Sequence, residues 1–320
     1  MIIQLKNPSA AKVAHWQRKW RELLRQSSLT LAGLTLFVLC WATLASQLQT
    51  SLGQFPGPGA VAGQLRALVA EHQAEQAREQ AFYQRQQQRL AQQPEAVARP
   101  YHGRPTFFSQ IQTSLQTVLS GFLLASLIAI PAGVLIGLSP LCYSALNPLI
   151  QLLKPVSPLA WLPLITIVVS ASYPADGLLS RSYLVSALTV ALCSLWPTLI
   201  NTIVGVSQVP ADLQNVSKVL RLNWYRHIRA IVLPSAVPMM FTGLRLSLGI
   251  AWMVLIAAEM LAQNPGLGKF VWDEFQNGSS DSLARICVAV AVIGLIGLLL
   301  DRLMLSLQQA LSWDKSVQLR

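Results

Sequence analysis

Apolar residues collect into long runs near 29–47, 115–138, 158–170, 183–206, 236–262 and 283–305, with short polar breaks between most of them. A helix needs about 20 such residues to cross a hydrocarbon core of ~30 Å. The pattern therefore predicts an all-α, polytopic membrane fold with six transmembrane helices. The third run is the least regular, because Pro155, Pro158 and Pro163 each lack an amide donor, and its helix is expected to be kinked or to begin late.

Two segments depart from this rhythm. Between the fourth and fifth runs lies "NVSKVLRLNWYRHIRAIVLP", Asn215 to Pro234. Read as one helix, it places Val216, Leu220, Trp224, Ile228 and Val232 on one side at every fourth position, with Lys218, Arg221, Arg226 and Arg229 elsewhere. Such a piece is too charged to span and is expected on the cytoplasmic surface. The other segment, 64–93, holds ten glutamines and neither Gly nor Pro. It reads as a polar helix or a disordered linker, serving as a solvated spacer or a partner-docking arm.

Composition and charge sharpen the topology. Of 320 residues, 53% are hydrophobic and 12% charged, about half the charged share of a soluble domain. The tail before the first run carries Lys6, Lys12, Arg18, Lys19, Arg21 and Arg25 against Glu22, which assigns it to the cytoplasm, and six spans return the C-terminus there. On that reading the cytoplasmic segments hold fourteen basic residues and four acids (Glu22, Asp212, Asp301 and Asp314), while the outer segments balance at eight and eight. Arg245, Arg285 and Glu259 sit in or at spans and complete the net +11. The excess belongs to one membrane face and to anionic lipid, so no nucleic-acid partner is needed. The first run is expected to be an uncleaved anchor, since no small-residue cleavage site follows it.

The chain divides into a basic N-terminal tail (1–28), a first span (29–47), an outer loop with the Gln-rich insert (48–108), a five-span core (109–306) that includes the loop 211–234, and a C-terminal tail (307–320). No chemistry-bearing cluster appears. Cys40, Cys142, Cys193 and Cys287 lie in or beside apolar runs without a CxxC pair, and no metal-ligand spacing or Gly-x-Ser-x-Gly elbow occurs. A phosphate-binding GxxxxGK[ST] loop is also missing, since Gln263 and Phe270 flank Gly268-Lys269 where Gly and Ser/Thr would stand. No metal or cofactor is expected in the chain.

Several stretches carry a family resemblance: "FPGPGAV" (55–61), "LKPVSPLAWLP" (153–163), "SLWPTLINT" (194–202), "FTGLRLSLGIAWMVLIAAEML" (241–261), "GLGKFVWDEF" (266–275) and "GLIGLLLDRL" (294–303). With the Ile231-x-Leu233-Pro234 ending of the polar loop, they resemble the type I permease subunits of bacterial ABC importers in the nitrate, sulfonate and taurine group, nearest the nitrate type. The resemblance covers about 105–305 and, more loosely, 29–61. It leaves out the Gln-rich insert. The family's "EAA" loop opens with Glu-Ala-Ala and has a Gly several residues on; here Asn215 stands for Glu, Ser217 for Ala, and Arg221 occupies the Gly position, with Asn223 the nearby residue better suited to φ > 0.

The resemblance implies alternating access in the inner membrane. Two permease copies would form the path, a separate ATPase would bind ATP and Mg and receive the loop, and a periplasmic or lipid-tethered binding protein would deliver solute. Asn215, Ser217, Lys218, Arg221, Asn223, Ile231, Leu233 and Pro234 become the ATPase-coupling residues. Nitrate leads as solute, followed by nitrite, cyanate or bicarbonate, then sulfonates or taurine. Arg245, Glu259, Trp161, Trp196 and Trp252 are candidates for the substrate path, because buried charge in a span must be offset and an arginine fork suits an oxyanion. Their plainer uses are pairing inside the bundle, pairing across a subunit interface for Glu259, and packing for the tryptophans. Ser157, Thr189, Ser194, Thr198, Asn201 and Thr202 read as glue between helices. Two rival classes stay open: a secondary transporter or channel, which would show several intramembrane acids where Glu259 alone is evident, and a structural subunit with a degenerate docking loop.

Overall fold

The computed structural model describes residues 8–50, 53–93, 97–174 and 177–311, and the backbone alone at 8–24, 26, 27, 280 and 311. Lys6, Glu95, Asp176, Asp314, Lys315 and Arg320 lie outside the described residues. Helices dominate: α1 (Pro8–Gln47), α2 (Pro58–Gln92), α3 (Phe107–Leu138), α4 (Pro140–Leu153), α5 (Pro158–Ser172), α6 (Arg181–Ser207), α7 (Ala211–Val219), α8 (Trp224–His227), α9 (Leu233–Ala262), α10 (Leu267–Asn277) and α11 (Ser280–Leu311). A π-helical turn, Ile228–Val232, joins α8 to α9. The one small ribbon among the described residues pairs β1 (Gln49–Thr50) with β2 (Gly53–Gln54), Gln49 opposite Gln54.

Five segments are long and apolar enough to cross a membrane: Ser28–Gln47, Phe107–Leu138, Arg181–Ser207, Trp224–Ala262 and Asp281–Ala310. The sixth is a bent pair. α4 and α5 meet at 99°, and the apolar stretch expected from residue 158 starts earlier, at Pro140. Pro155 and Pro158 cannot donate to a continuous ladder, so the chain stops at Leu153 and restarts at Pro158, where the Ser157 hydroxyl caps α5 by accepting from the Leu159 amide. The tail and the first span also merge into one 40-residue helix, α1.

Small residues decide the packing. α6 lies between α3 and α9. A side chain on Gly133 of α3 would come within 2.7 Å of Thr202, and one on Gly243 of α9 within 2.7 Å of Asn201, so these glycines let backbones meet where lipid tails offer no hydrophobic drive. One core (Val118, Phe122, Trp252, Leu255, Leu267 and Phe270, with neighbours) fills the end carrying α2 and α10, called here the cap end. A second (Val134, Val206, Val209, Ile231, Val232 and Ala236) fills the opposite end, called the loop end.

The Gln-rich insert is helical. α2 has 35 residues, about 52 Å at 1.5 Å per residue. Its first turns are rooted by buried Leu68, by the Glu71–Arg285 ion pair and by a 2.8 Å hydrogen bond between His72 Nδ1 and the Thr106 hydroxyl. The chain after α2 returns along it as a strap. The Tyr101 hydroxyl donates to Glu75 at 2.7 Å, the Arg104 amide donates to the same oxygen at 3.1 Å, and the Tyr101 ring lies 5.3 Å from that of Phe82. The Tyr101 hydrogen bond, helped by the Arg104 amide and by Arg78, outweighs desolvation and holds the Glu75 carboxyl below its ordinary 4.5. The same hydrogen bond raises the Tyr101 phenol above 10.0.

Candidate functional site: a helical hairpin on the loop end

Residues 211–234 form two short helices rather than one. α7 ends in a turn in which the Arg221 amide donates to Lys218 C=O at 3.1 Å and the Leu222 amide to Ser217 C=O at 3.1 Å. That is the Schellman pattern, with Arg221 at the left-handed position, φ 45°. The glycine position of the resemblance is therefore the turn itself. Asn223, expected to tolerate φ > 0 better, has φ −64° and starts α8. An arginine held there carries a strain of about 1 kcal/mol that glycine would not.

The turn breaks the four-residue stripe read from the sequence. Ile228 and Val232 belong to the loop-end core, whereas Val216, Leu220 and Trp224 are exposed, with Val219 at 81% and Trp224 at 61%. A single helix would have kept all five on one face; the reversal at Arg221 separates Val216 and Leu220 from the rest, while Trp224 stays exposed at the outer end of the stretch that carries Ile228. Ser217, which is buried, bonds His227 Nδ1 at 2.8 Å and so ties α7 to α8 across the turn. Beyond it, the Leu233 amide reaches back five residues to Ile228 C=O. Pro234 lacks an N–H for the next ordinary rung, and the π turn absorbs that break.

Of the coupling candidates, the structure plants Ile231 and Leu233 in the core shared by α3, α6 and α9. Asn215, Lys218, Arg221, Asn223 and Pro234 are exposed. The hairpin thus presents apolar and basic side chains outward while its base is fixed to the bundle.

The path candidates do not converge. Arg245 of α9 forms a two-pronged ion pair with Asp301 of α11, Nε–Oδ1 2.5 Å and Nη2–Oδ2 2.9 Å. Asp301, expected in the cytoplasm, lies in α11, which continues to Leu311 beyond the run read from the sequence. Glu259 has its partners within the chain. Its carboxylate is 0% exposed, accepts from the Ser114 hydroxyl at 2.8 and 2.9 Å, from the Gly268 amide at 3.0 Å and from the Asn264 side chain. It sits at the N-terminus of α10, where a negative charge meets the helix dipole. Gly266 allows this approach, since a Cβ there would fall 2.1 Å from Glu259 Oε1.

The tryptophans are also apart. Trp196 packs with Ala129, Ile150 and Ile203, while Trp252 is buried and donates to Ile293 C=O at 3.0 Å. Trp161 is partly buried, and its indole N–H has no partner among the described residues. A cavity of about 360 Å³ opens between α3, α4 and α6, lined in part by Ser139, Tyr143, Asn147, Gln151 and Ser207. None of the five path candidates lines it. Among the described residues no His, Cys, Asp or Glu cluster could hold a metal ion.

Of the residues expected as glue, Thr189 and Thr202 bond back to carbonyls four residues earlier in α6, as does Asn201 to Pro197 C=O. Thr198 alone among them sends its hydroxyl across to another helix, to Ser247 of α9. Sequence reasoning gave no site role to Ser114, His227, Ser247 or Asp301, the last of which it counted only as a cytoplasmic acid. Only Asp301 left a signal, an acid inside the apolar run 283–305.

An all-α bundle with five long apolar helices and one bent pair defines a polytopic membrane protein. The chain belongs to the family described as binding-protein-dependent transport system inner membrane component, which it matches over residues 106–313, and is a permease subunit of an ABC importer. It is similar to a nitrate import permease protein of Leptolyngbya laminosa, 39% identical over 206 residues, covering 63% of this chain and 69% of that protein. A bicarbonate transport system permease protein of Synechococcus elongatus is 34% identical over 297 residues, covering 91% of this chain and 92% of that one. Another bicarbonate permease, from Synechocystis, is 40% identical over 206 residues, covering 64% and 69%.

Proposed function

We propose that the chain is the permease of a nitrate importer, with the loop end in the cytoplasm and the hairpin 211–234 received by a separate ATPase that binds the ATP and Mg. The observation that carries the coupling role is the hairpin itself: Val219, Leu220 and Trp224 stand exposed on a base locked into α3, α6 and α9. Apolar side chains on a rigid mount at a basic membrane face suit a protein groove. Two permease copies enclose the path, and a binding protein delivers solute at the cap end. Arg245 and Glu259, engaged by Asp301 and by the α10 N-terminus, hold helices together in this reading.

Nitrate is favoured by the nitrate permease relative and by the nitrate-type stretches 153–163 and 194–202. Bicarbonate is the second reading, on the strength of the relative matched over 91% of the chain. The test is uptake of labelled nitrate at micromolar concentration by cells with and without the gene, with bicarbonate and taurine in parallel. Loss of nitrate uptake alone, restored by the gene, is expected; loss of bicarbonate or taurine uptake alone moves the solute. Replacing Leu233 and Pro234 should abolish uptake with membrane insertion intact, and unchanged uptake would remove the coupling role.

A further inference from the structure

The middle of α6 is missing part of its own backbone ladder. Pro197 has no N–H to give Cys193 C=O, and at the next position both the Thr198 amide and Ser194 C=O bond a side chain from another helix. Ser247 of α9 accepts from the Thr198 amide at 3.1 Å and donates to Ser194 C=O at 2.6 Å, while the Thr198 hydroxyl donates to the same Ser247 oxygen at 2.7 Å. All three residues are fully buried. Gly243, one turn away on α9, makes this possible by letting the helices touch, since a Cβ there would lie 3.0 Å from Pro197 C=O and from Thr198 Cα.

We infer that Ser247 is a positioning residue that splices α9 into α6, so that the two helices move as one unit when the hairpin is displaced. α9 runs directly out of the hairpin, the segment Trp224–Ala262 being one long apolar helical stretch. A helix missing a rung at a proline bends easily at that point. In water-free surroundings the freed groups must find partners, and the hydroxyl of α9 supplies them. Moving α6 independently of α9 then breaks three buried hydrogen bonds of the Ser247 hydroxyl at once. Without the hydroxyl, the Thr198 amide and Ser194 carbonyl can bond each other, closing an ordinary rung and freeing α6 from its neighbour. The substitution thus disconnects the helices, with the Thr198 hydroxyl as the group that loses its acceptor.

The inference rests on the coupling role proposed above, and its test separates the two. The complete importer, with its ATPase and binding protein in nanodiscs or proteoliposomes, is measured for solute moved per ATP hydrolysed. Ser247→Ala is expected to lower that ratio by about fivefold or more, the low end of a coupling between sites, with hydrolysis retained. Ser247→Cys, close in size and a weak hydrogen-bonding group, should fall in the same direction and stands in if the alanine variant fails to assemble. Ser247→Thr, which keeps the hydroxyl, should restore most of the ratio. As a readout independent of transport, spin labels at exposed Ser207 of α6 and Arg229 in the π turn before α9 should keep one narrow distance in the wild type with and without ATP, and a broadened one in Ser247→Ala. A wild-type ratio and an unchanged distance in both the alanine and cysteine variants would overturn the splice. If replacing Leu233 and Pro234 leaves uptake intact while the label distance still broadens in Ser247→Ala, the hairpin assignment fails and the splice stands.

Discussion

The two ends of the molecule are finished differently. At the cap end, charge is answered inside the chain: Glu259 by Ser114, Asn264 and Gly268, Glu274 by Ser282 and Arg285, and Arg285 again by Glu71 of α2. At the loop end, buried anchors support a hairpin whose apolar and basic side chains are turned outward. The contrast separates a part that is complete as a single chain from a part shaped for something else. Buried polar groups without partners are costly, so a closed network at the cap end fixes helix positions. Val219 and Trp224 bury little of their surface within the chain, and under the proposed function they are the groups that meet the ATPase.

The contrast can be broken most severely at Glu259. Glu259→Leu leaves the buried Ser114 hydroxyl and Gly268 amide without their acceptor, and should destabilise the isolated permease by about 3 kcal/mol, read by denaturant unfolding in detergent. A loss under 1 kcal/mol would show that the cap end is not held by this carboxylate. Arg221→Gly probes the other end and should be slightly stabilising, by up to about 1 kcal/mol, because the left-handed turn is retained and its strain removed. A destabilising effect would mean that the arginine side chain itself holds the hairpin. The smallest effect concerns the strap on α2. Because folding lowers the Glu75 pKa and raises that of Tyr101, the contribution of this contact is present between their ordinary values of 4.5 and 10.0. It fades as pH falls below 4.5 through the depressed folded value of Glu75, or rises above 10.0 through the raised value of Tyr101. Proteolysis near 97–105 should be flat between those limits and increase beyond either, with the acid increase missing in Glu75→Gln.

The spans were legible because apolar run length is a direct statement of bilayer thickness, and the proline cluster told correctly that the third would be irregular. The 99° bend and the earlier start at Pro140 were not legible, since the run 140–153 is too short to signal a crossing alone. The hairpin's place in the chain could be read, but its fold could not. Fourfold spacing describes one helix, and only the backbone reversal at Arg221 shows that Val216 and Ile228 face different surroundings. Glu259 was singled out by type, yet its partners lie up to 145 residues away, a distance that periodicity cannot bridge. Ser247 carried no signal at all: a serine in an apolar run looks the same whether it bonds its own helix or repairs another.

The bend between α4 and α5 bears on how the chain is made. With 14 and 15 residues, the two halves measure about 21 and 22 Å, each short of a hydrocarbon core of ~30 Å. Neither is a good solitary passenger for the insertion machinery. The pair must wait at the lateral exit until α6 emerges behind it, packing against α3 on one side and α6 on the other. Synthesis order therefore becomes part of the architecture: α3 is already made when the pair emerges, whereas α6 follows it out of the ribosome.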